Sequence, residues 1–244
     1  VIRYASNSNV FSNVATLPTA NGTYAAFVSK FDSSGNYQYS RLVDAGGSDY
    51  GLSVACDTSG SVYLSGLYAG TPVITYASNS NVFSNVATLP TSNGNITSNS
   101  AAFVSKFDSS GTYQYSRVID ALLVDQALSV ACDSLNNMYM AGQYAGTPVI
   151  TYASNSNVFS NVATLPANVS ANTTGFVSKF DSSGTYQYSR IFETYYDDTT
   201  QSVTCDASGS IYLAGQYGPN NEMYIKDESN TVLGYLASYP TQSA

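Results

Sequence analysis

Histidine is absent from this chain of 244 residues, and cations are scarce, with 8 Lys plus Arg against 16 Asp plus Glu. Without histidine the usual base for a serine or cysteine nucleophile is missing, and so is the imidazole of a mixed zinc site. No G-x-S-x-G elbow and no Gly-rich phosphate loop leading into a helix stands in for it. The protein is therefore not expected to be an enzyme, and no catalytic residue, metal ligand or cofactor is assigned. The formal net charge of -8 disfavours nucleic acid and anionic membranes as partners, since both are held through basic patches. No apolar run approaches the ~20 residues of a membrane span. The chain opens on Val1-Ile2-Arg3 with neither Met nor a basic-then-apolar leader, so either a signal removed in processing or a fragment is expected.

Cysteine is also sparse. Cys56, Cys132 and Cys205 each follow the same V-x-C-D pattern in successive copies of one sequence context. Equivalent positions and an odd count argue against a disulfide framework, and the apolar alternation before each predicts three small, shielded strand residues with reduced thiols.

What the chain has in abundance is repetition. The fifteen-residue string Y-A-S-N-S-N-V-F-S-N-V-A-T-L-P runs from Tyr4 to Pro18, Tyr76 to Pro90 and Tyr152 to Pro166. Each copy is followed by F-V-S-K-F-D-S-S-G, then Y-Q-Y-S-R, then the V-x-C-D segment. One supersecondary unit has been multiplied, so function belongs to the array. The modules span 1–72, 73–148 and 149–222, and 223–244 carries the opening part of a fourth.

Within a module, Phe27 to Phe31 is a short aromatic and β-branched run closed by Asp32-Ser33-Ser34-Gly35 and answered by Tyr37 to Arg41. This predicts a β-hairpin whose Asp caps the turn and whose Gly takes positive φ. A second hairpin is predicted over Leu52 to Leu67, turning at Asp57-Thr58-Ser59-Gly60. Its counterpart turns at Asp133-Ser134-Leu135-Asn136, and Asn is the residue that best replaces Gly in the left-handed region. Helical periodicity is absent. The fold class is all-β: tandem four-stranded antiparallel repeat modules, stacked as in a β-propeller and forming an open or partial array. The fifteen-residue string adds a further extended pair.

The motif A-F-V-x-K-x-D-x-x-G (Ala26 to Gly35, Ala102 to Gly111, and Gly175 to Gly184 with Gly at its first position) alternates with the S-V-A-x-D-x-x-G-x-V-Y-x-x-G type (Ser53 to Gly66, Ser129 to Gly142, Ser202 to Gly215). Together these resemble the SBBP-type β-propeller repeat of surface and secreted proteins. The resemblance implies a propeller-like fold and leaves function open. The Trp common in the second strand of that family's first hairpin is Tyr here (Tyr39, Tyr115, Tyr188), and the inserted string lengthens the module. Three modules are too few for a closed ring.

The acidic pairs Asp44 and Asp49, Asp120 and Asp125, and Glu193 and Asp198 recur at one place in each module and are expected as solvated loops, with cation binding or a paired-carboxylate site as the sharper alternative. Lys30 and Arg41, with Lys106 and Arg117 and with Lys179 and Arg190, flank tyrosines on one hairpin, where cation–π support of the sheet is expected. Four N-x-[ST] sequons, at Asn21, Asn95, Asn168 and Asn172, all fall between the Pro of a string and the next Phe, where module length varies. That pattern describes exposed, glycan-bearing loops and hence an extracellular or cell-surface location. The function expected is a structural one: a glycosylated subunit that meets its own copies head to tail in a surface fibre, filament or layer. The alternative is a lectin-like or adhesive propeller, using some of the 22 tyrosines as sugar platforms. Residues 223–244 lack the F-V-S-K-F-D hairpin and are expected to supply the connecting edge.

Overall fold

Apolar alternation punctuated by Asp and Gly makes strands here, and strands alone. The computed structural model describes residues 1–5, 11–77, 82–92, 99–168, 172–219 and 223–236, and among them there is no helix. Asn95 and residues 237–244 lie outside the described residues. In the first module the string forms β1 (Ile2–Ala5) and β2 (Phe11–Ala15), the first hairpin β3 (Ala26–Phe31) and β4 (Tyr37–Asp44), and the second β5 (Tyr50–Cys56) and β6 (Val62–Tyr68). The second module repeats this as β7 (Val73–Ala77), β8 (Phe83–Thr88), β9 (Ala101–Phe107), β10 (Tyr113–Leu122), β11 (Gln126–Cys132) and β12 (Met138–Tyr144). The third gives β13 (Gly146–Ser154), β14 (Phe159–Thr164), β15 (Thr174–Phe180), β16 (Tyr186–Glu193), β17 (Thr199–Cys205) and β18 (Ile211–Gln216), and the partial fourth gives β19 (Met223–Asp227) and β20 (Val232–Leu236).

The turns are those the sequence predicts. Asp32 Oδ1 accepts the N–H of Ser34 (2.9 Å) and of Asn36 (2.8 Å), and Gly35 sits at φ 81°. Asp108 and Asp181 do the same in the next two modules. Asn136 takes φ 63° where Gly60 takes 77°.

Sheet membership differs from the module boundaries. The two hairpins of one module lie in successive sheets, not in one. The first sheet runs β3-β4-β7-β8, the second β14-β13-β10-β9-β6-β5, and the third β11-β12-β15-β16-β19-β20. Each six-stranded sheet thus takes its inner hairpin from one module, its middle hairpin from the next and its outer, string-derived hairpin from the one after. β1–β2 and β17–β18 remain as separate pairs. The chain leaves a sheet after its middle hairpin, builds the inner hairpin of the following sheet, and returns to add the string. Among the described residues every strand pairs antiparallel with its neighbours, and two isolated parallel bridges, Tyr24 with Ser48 and Ser100 with Val124, tie the crossovers. The described turn tips therefore lie at one end of the sheets and the described crossover residues at the other.

Stacking explains why the central strands β6 and β9 of the second sheet are buried on both faces, as strands covered from both sides must be. Leu64, Phe103, Phe107 and Val118 pack on Val28, Val43, Ile74 and Leu89 of the first sheet. Their alternating neighbours Tyr63, Ala102, Val104 and Ile119 pack on Met138, Met140, Phe176 and Ile191 of the third. β11 lies against both β5 and β17, so the inner hairpins form the spine of the stack.

The segment 223–236 takes the place of a string-derived hairpin. β19–β20 closes on β16 of its own sheet, as β13–β14 closes on β10, and leaves β20 at the sheet edge. Among the described residues, β3 lacks the inner partner that β9 and β15 find in β6 and β12, and β18 lacks the outer partner that β6 and β12 find in β9 and β15.

Candidate functional site

Two polar arrangements recur along the stack, the first in each of the three modules and the second complete in the first two. The first is at the crossovers. Asp49, expected in a solvated loop, is buried, with Oδ2 accepting the Ala45 N–H (2.6 Å) and Oδ1 the Ala69 N–H (3.1 Å). One carboxyl thus holds the segment leaving the sheet and the segment coming back. Asp125 does so with Ala121 (2.6 Å) and Ala145 (3.2 Å), and Asp198 with Thr194 (2.5 Å) and Gly218 (3.1 Å). Burial pushes the Asp49 carboxyl up to about 6 and Asp125 up to about 8 against the pull of these N–H groups, and raises Asp198 as well. The solvated-loop expectation fails because the crossover backbone carries N–H groups that no strand satisfies, and a buried carboxyl supplies the acceptors. Asp44 and Glu193 are buried too: Asp44 accepts the Asn21 N–H (2.8 Å), and Glu193 pairs with Lys226 (2.5 Å). Among the described residues no three acidic or thiol groups converge as a metal site would need.

The second arrangement is a cradle at the turn end. The Arg41 guanidinium lies 4.2 Å from the Tyr39 ring centre and 4.1 Å from that of Tyr76, a sandwich. Its Nε donates to the Gly111 carbonyl of the next sheet's D-S-S-G turn, Lys30 Nζ donates to Ser109 O (2.7 Å), and the Tyr113 N–H donates to the Tyr76 hydroxyl. Arg117 repeats the sandwich between Tyr115 (4.1 Å) and Tyr152 (3.9 Å), with Nε on Gly184 O (2.6 Å) and Lys106 on Ser182 O (3.4 Å). The expected cation–π pairs are present, and they do more than support one sheet: they receive the next one. Tyr39, Tyr76, Tyr115 and Tyr152 each spend one ring face on arginine. In the third cradle Arg190 keeps Tyr188 (4.4 Å) but meets Glu228 (3.4 Å) on its other side. No described turn fills that cradle.

The ends of the stack expose what the interior buries. Phe27 is 54% exposed whereas its counterparts Phe103 and Phe176 are at 0%. At the other end Tyr212 is 58% exposed whereas Tyr63 is at 0% and Tyr139 at 1%. Phe31 and Val54 are exposed on the first face, while Phe107, Phe180, Val130 and Val203 are buried. Each end carries a groove. One of about 350 Å³ is lined by Phe27, Phe31, Leu52 and Val54, and one of about 250 Å³ by Phe192, Leu213, Gly215, Tyr217 and Ile225.

This asymmetry corrects one expectation about the thiols. All three are free, but Cys56 is exposed because β11 covers only the Ser53 and Ala55 face of β5 and nothing described covers the other, while Cys132 and Cys205 are half-buried. Burial pushes Cys132 up to about 12 and Cys205 up to about 11. Iodoacetamide at pH 8 without denaturant is expected to modify Cys56 roughly a hundredfold faster than the other two, since the thiolate is the nucleophile. Mass mapping that finds all three equally reactive would contradict this.

The described sequons, Asn21, Asn168 and Asn172, lie at the crossover end. Asn21 is exposed, with its backbone N–H on Asp44. Asn168 and Asn172 are half-buried and their side-chain amides are engaged: Asn168 Oδ1 accepts the Gly146 N–H (2.9 Å) and its Nδ2 donates to Asn172 O, while Asn172 Nδ2 donates to Tyr195 O (2.9 Å). Ser92 holds Gly70 in the way that Asn168 holds Gly146. Sequence reasoning missed this second use, although Ser92 and Asn168 stand at equal distances after Gly70 and Gly146.

No known family's sequence profile matches the chain. It is similar to an uncharacterized WD repeat-containing protein of Acanthamoeba polyphaga mimivirus, 29% identical over 129 residues, which are 52% of this chain and 9% of that protein. The matched part thus spans about a tenth of the relative's length. With the stacked antiparallel sheets, this likeness defines the class as a β-propeller-type tandem repeat. The narrower SBBP-type assignment rests on the motifs alone.

Proposed function

We propose that the protein is an extracellular structural repeat protein without enzymatic activity, glycosylated at the crossover end, whose copies add end to end into a fibre, filament or surface layer. The observation that supports this most is the pairing of the two end faces. Positions buried at every internal joint, Phe103 and Phe176 on one side and Tyr63 and Tyr139 on the other, are exposed at the termini of the stack as Phe27 and Tyr212. Large exposed apolar patches mark interaction surfaces, and two non-identical complementary faces make a heterologous contact that propagates unless rotation closes it. The lectin-like alternative needs free aromatic faces, and the cradle tyrosines are already stacked on Arg41 and Arg117.

Sedimentation velocity and electron microscopy test the assembly. Particle mass is expected to rise with concentration, giving filaments or rings, and a monomer at every concentration would reject it. Glycopeptide mass spectrometry of native material tests the rest. Glycan is expected at Asn21 and Asn95, and at lower occupancy at Asn168 and Asn172, whose amide nitrogens donate hydrogen bonds within the fold. Unmodified Asn at all four sites would remove the support for an extracellular location.

A further inference from the structure

We infer that the joint between copies is a shared sheet: β18 of one copy pairs antiparallel with β3 of the next, so that β17–β18 becomes the inner hairpin of the neighbour's first sheet. This rests on the end-to-end reading above and specifies its contact. The register follows from the two internal examples. Tyr63 stands opposite Lys106 and Gly66 opposite Phe103 where β6 meets β9. Tyr139 stands opposite Lys179 and Gly142 opposite Phe176 where β12 meets β15. The equivalent joint sets Tyr212 opposite Lys30, Ala214 opposite Val28 and Gly215 opposite Phe27. The outer edge of β18 and the inner edge of β3 pair with no strand among the described residues.

Side chains agree with that register on four counts. Phe27 enters the 250 Å³ groove against Tyr217, as Phe103 packs on Tyr68 (ring centres 5.9 Å apart) and Phe176 on Tyr144 (6.0 Å). Lys30 comes over Tyr212, as Lys106 lies over Tyr63 (5.0 Å) and Lys179 over Tyr139 (5.2 Å), with Asp206 placed as Asp57 is toward Lys106 (3.4 Å). The third cradle receives the turn Asp32–Gly35, with Lys179 on Ser33 O and Arg190 on Gly35 O. Gly35 now has no atom near its Cβ direction, whereas Gly111 and Gly184 are pressed against Arg41 with Tyr39 and Arg117 with Tyr115. Finally, Ser202 Oγ reaches the Val54 N–H, as Ser53 reaches Val130 (3.4 Å) and Ser129 reaches Val203 (3.1 Å). The incoming β1–β2 pair finds β16 already occupied by β19–β20 and lies outside the joint.

Two experiments on the 244-residue chain decide this. In sedimentation, Phe27→Glu is expected to weaken association at least tenfold while leaving the fold intact, since Phe27 is exposed in the single chain. Unchanged protection of Cys132 and Cys205 from alkylation serves as the folding control. In a Cys56→Ala background, a mixture of Val28→Cys chains with Ala214→Cys chains is expected to form a disulfide-linked dimer on mild oxidation, and Phe31→Cys with Ala214→Cys is not. If the wild type assembles but Phe27→Glu assembles equally well, or the off-register pair crosslinks as readily, the shared sheet is wrong and end-to-end assembly stands. If the wild type stays monomeric, both fall.

Discussion

Gly142→Ala is expected to lower stability by about 3 kcal/mol or more, a fall in Tm of roughly 6–12 °C for a chain of this size. A Cβ on Gly142 would lie 1.8 Å from Gln126 O and 3.1 Å from Leu128 N, both backbone atoms of the paired strand β11. The close approach comes from the irregularity between Ala127 and Ser129, which brings the β11 backbone over β12. Gly66 against Tyr50 O (1.8 Å) and Gly215 against Thr199 O (2.0 Å) show the same construction. Backbone in the middle of a sheet cannot yield as a flexible side-chain tip can, so the ladder itself must break. Gly234→Ala, with nothing within 4 Å of its Cβ position, serves as the control and is expected to stay within roughly 0.5 kcal/mol of wild type. Thermal melts of the two variants decide the matter, and a Gly142→Ala melt indistinguishable from wild type would refute it.

Asp125→Asn is expected to cost about 1–3 kcal/mol, because the amide nitrogen that replaces one carboxyl oxygen faces a backbone N–H and leaves it unpaired. The same residue governs pH dependence. Its folded pKa is pushed up to about 8, and that of Asp49 to about 6, above the ~3.9 of an unfolded Asp, so the folded state binds more protons between those limits. Their contribution to stability is fully present below about pH 4 and is lost as pH rises through about 6 and then about 8. The turn aspartates oppose this from the acid side. Hydrogen bonds from Ser208 hold Asp206 down to about 2, and those from Asn36 and Ser229 lower Asp32 and Asp227. What they contribute is lost as pH falls through their folded pKa. Stability is therefore expected to peak in mildly acid solution, near pH 4–5, and to decline toward pH 8, with Asp125→Asn flattening the decline. Denaturant midpoints at pH 4.5 and pH 8 measure it. A wild-type midpoint that holds or rises toward pH 8 would refute the assignment.

The hairpins were legible because their signals are local. Asp32 to Gly35 specifies a turn through one side chain and one positive φ, whichever strands surround it, and Asn136 keeps the geometry where Gly is lost. Which hairpin pairs with which was not legible, for a physical reason. Near-identical modules offer the same edge at Val62 and Met138 and the same partner at Ala101 and Thr174, so nothing in the letters says that a module's two hairpins part company. The crossover carboxyls were misread for a related reason. Asp44 and Asp49 in a polar loop look solvated until the returning segment at Ala69 closes over them. Lys30 and Arg41 were placed correctly beside their tyrosines, but their acceptors lie in the next module at Ser109 and Gly111, a distance that no local pattern spans. Cys56 was misjudged because its environment depends on its place in the stack and not on the residues around it.

The hairpin exchange also decides how the array bears tension. Between the first and second sheets the backbone passes three times, from β4 to β5, from β6 to β7 and from β8 to β9, and the next boundary repeats this. A solenoid whose repeats touch only across side-chain interfaces can shed them one by one from an end. Here no sheet can be peeled away whole, because pulling on one withdraws a hairpin from inside its neighbour and must unzip β6 from β9 or β7 from β4 to do so. Force along the stack is therefore shared among backbone ladders, and rupture is expected as a few large cooperative steps instead of a staircase of small ones.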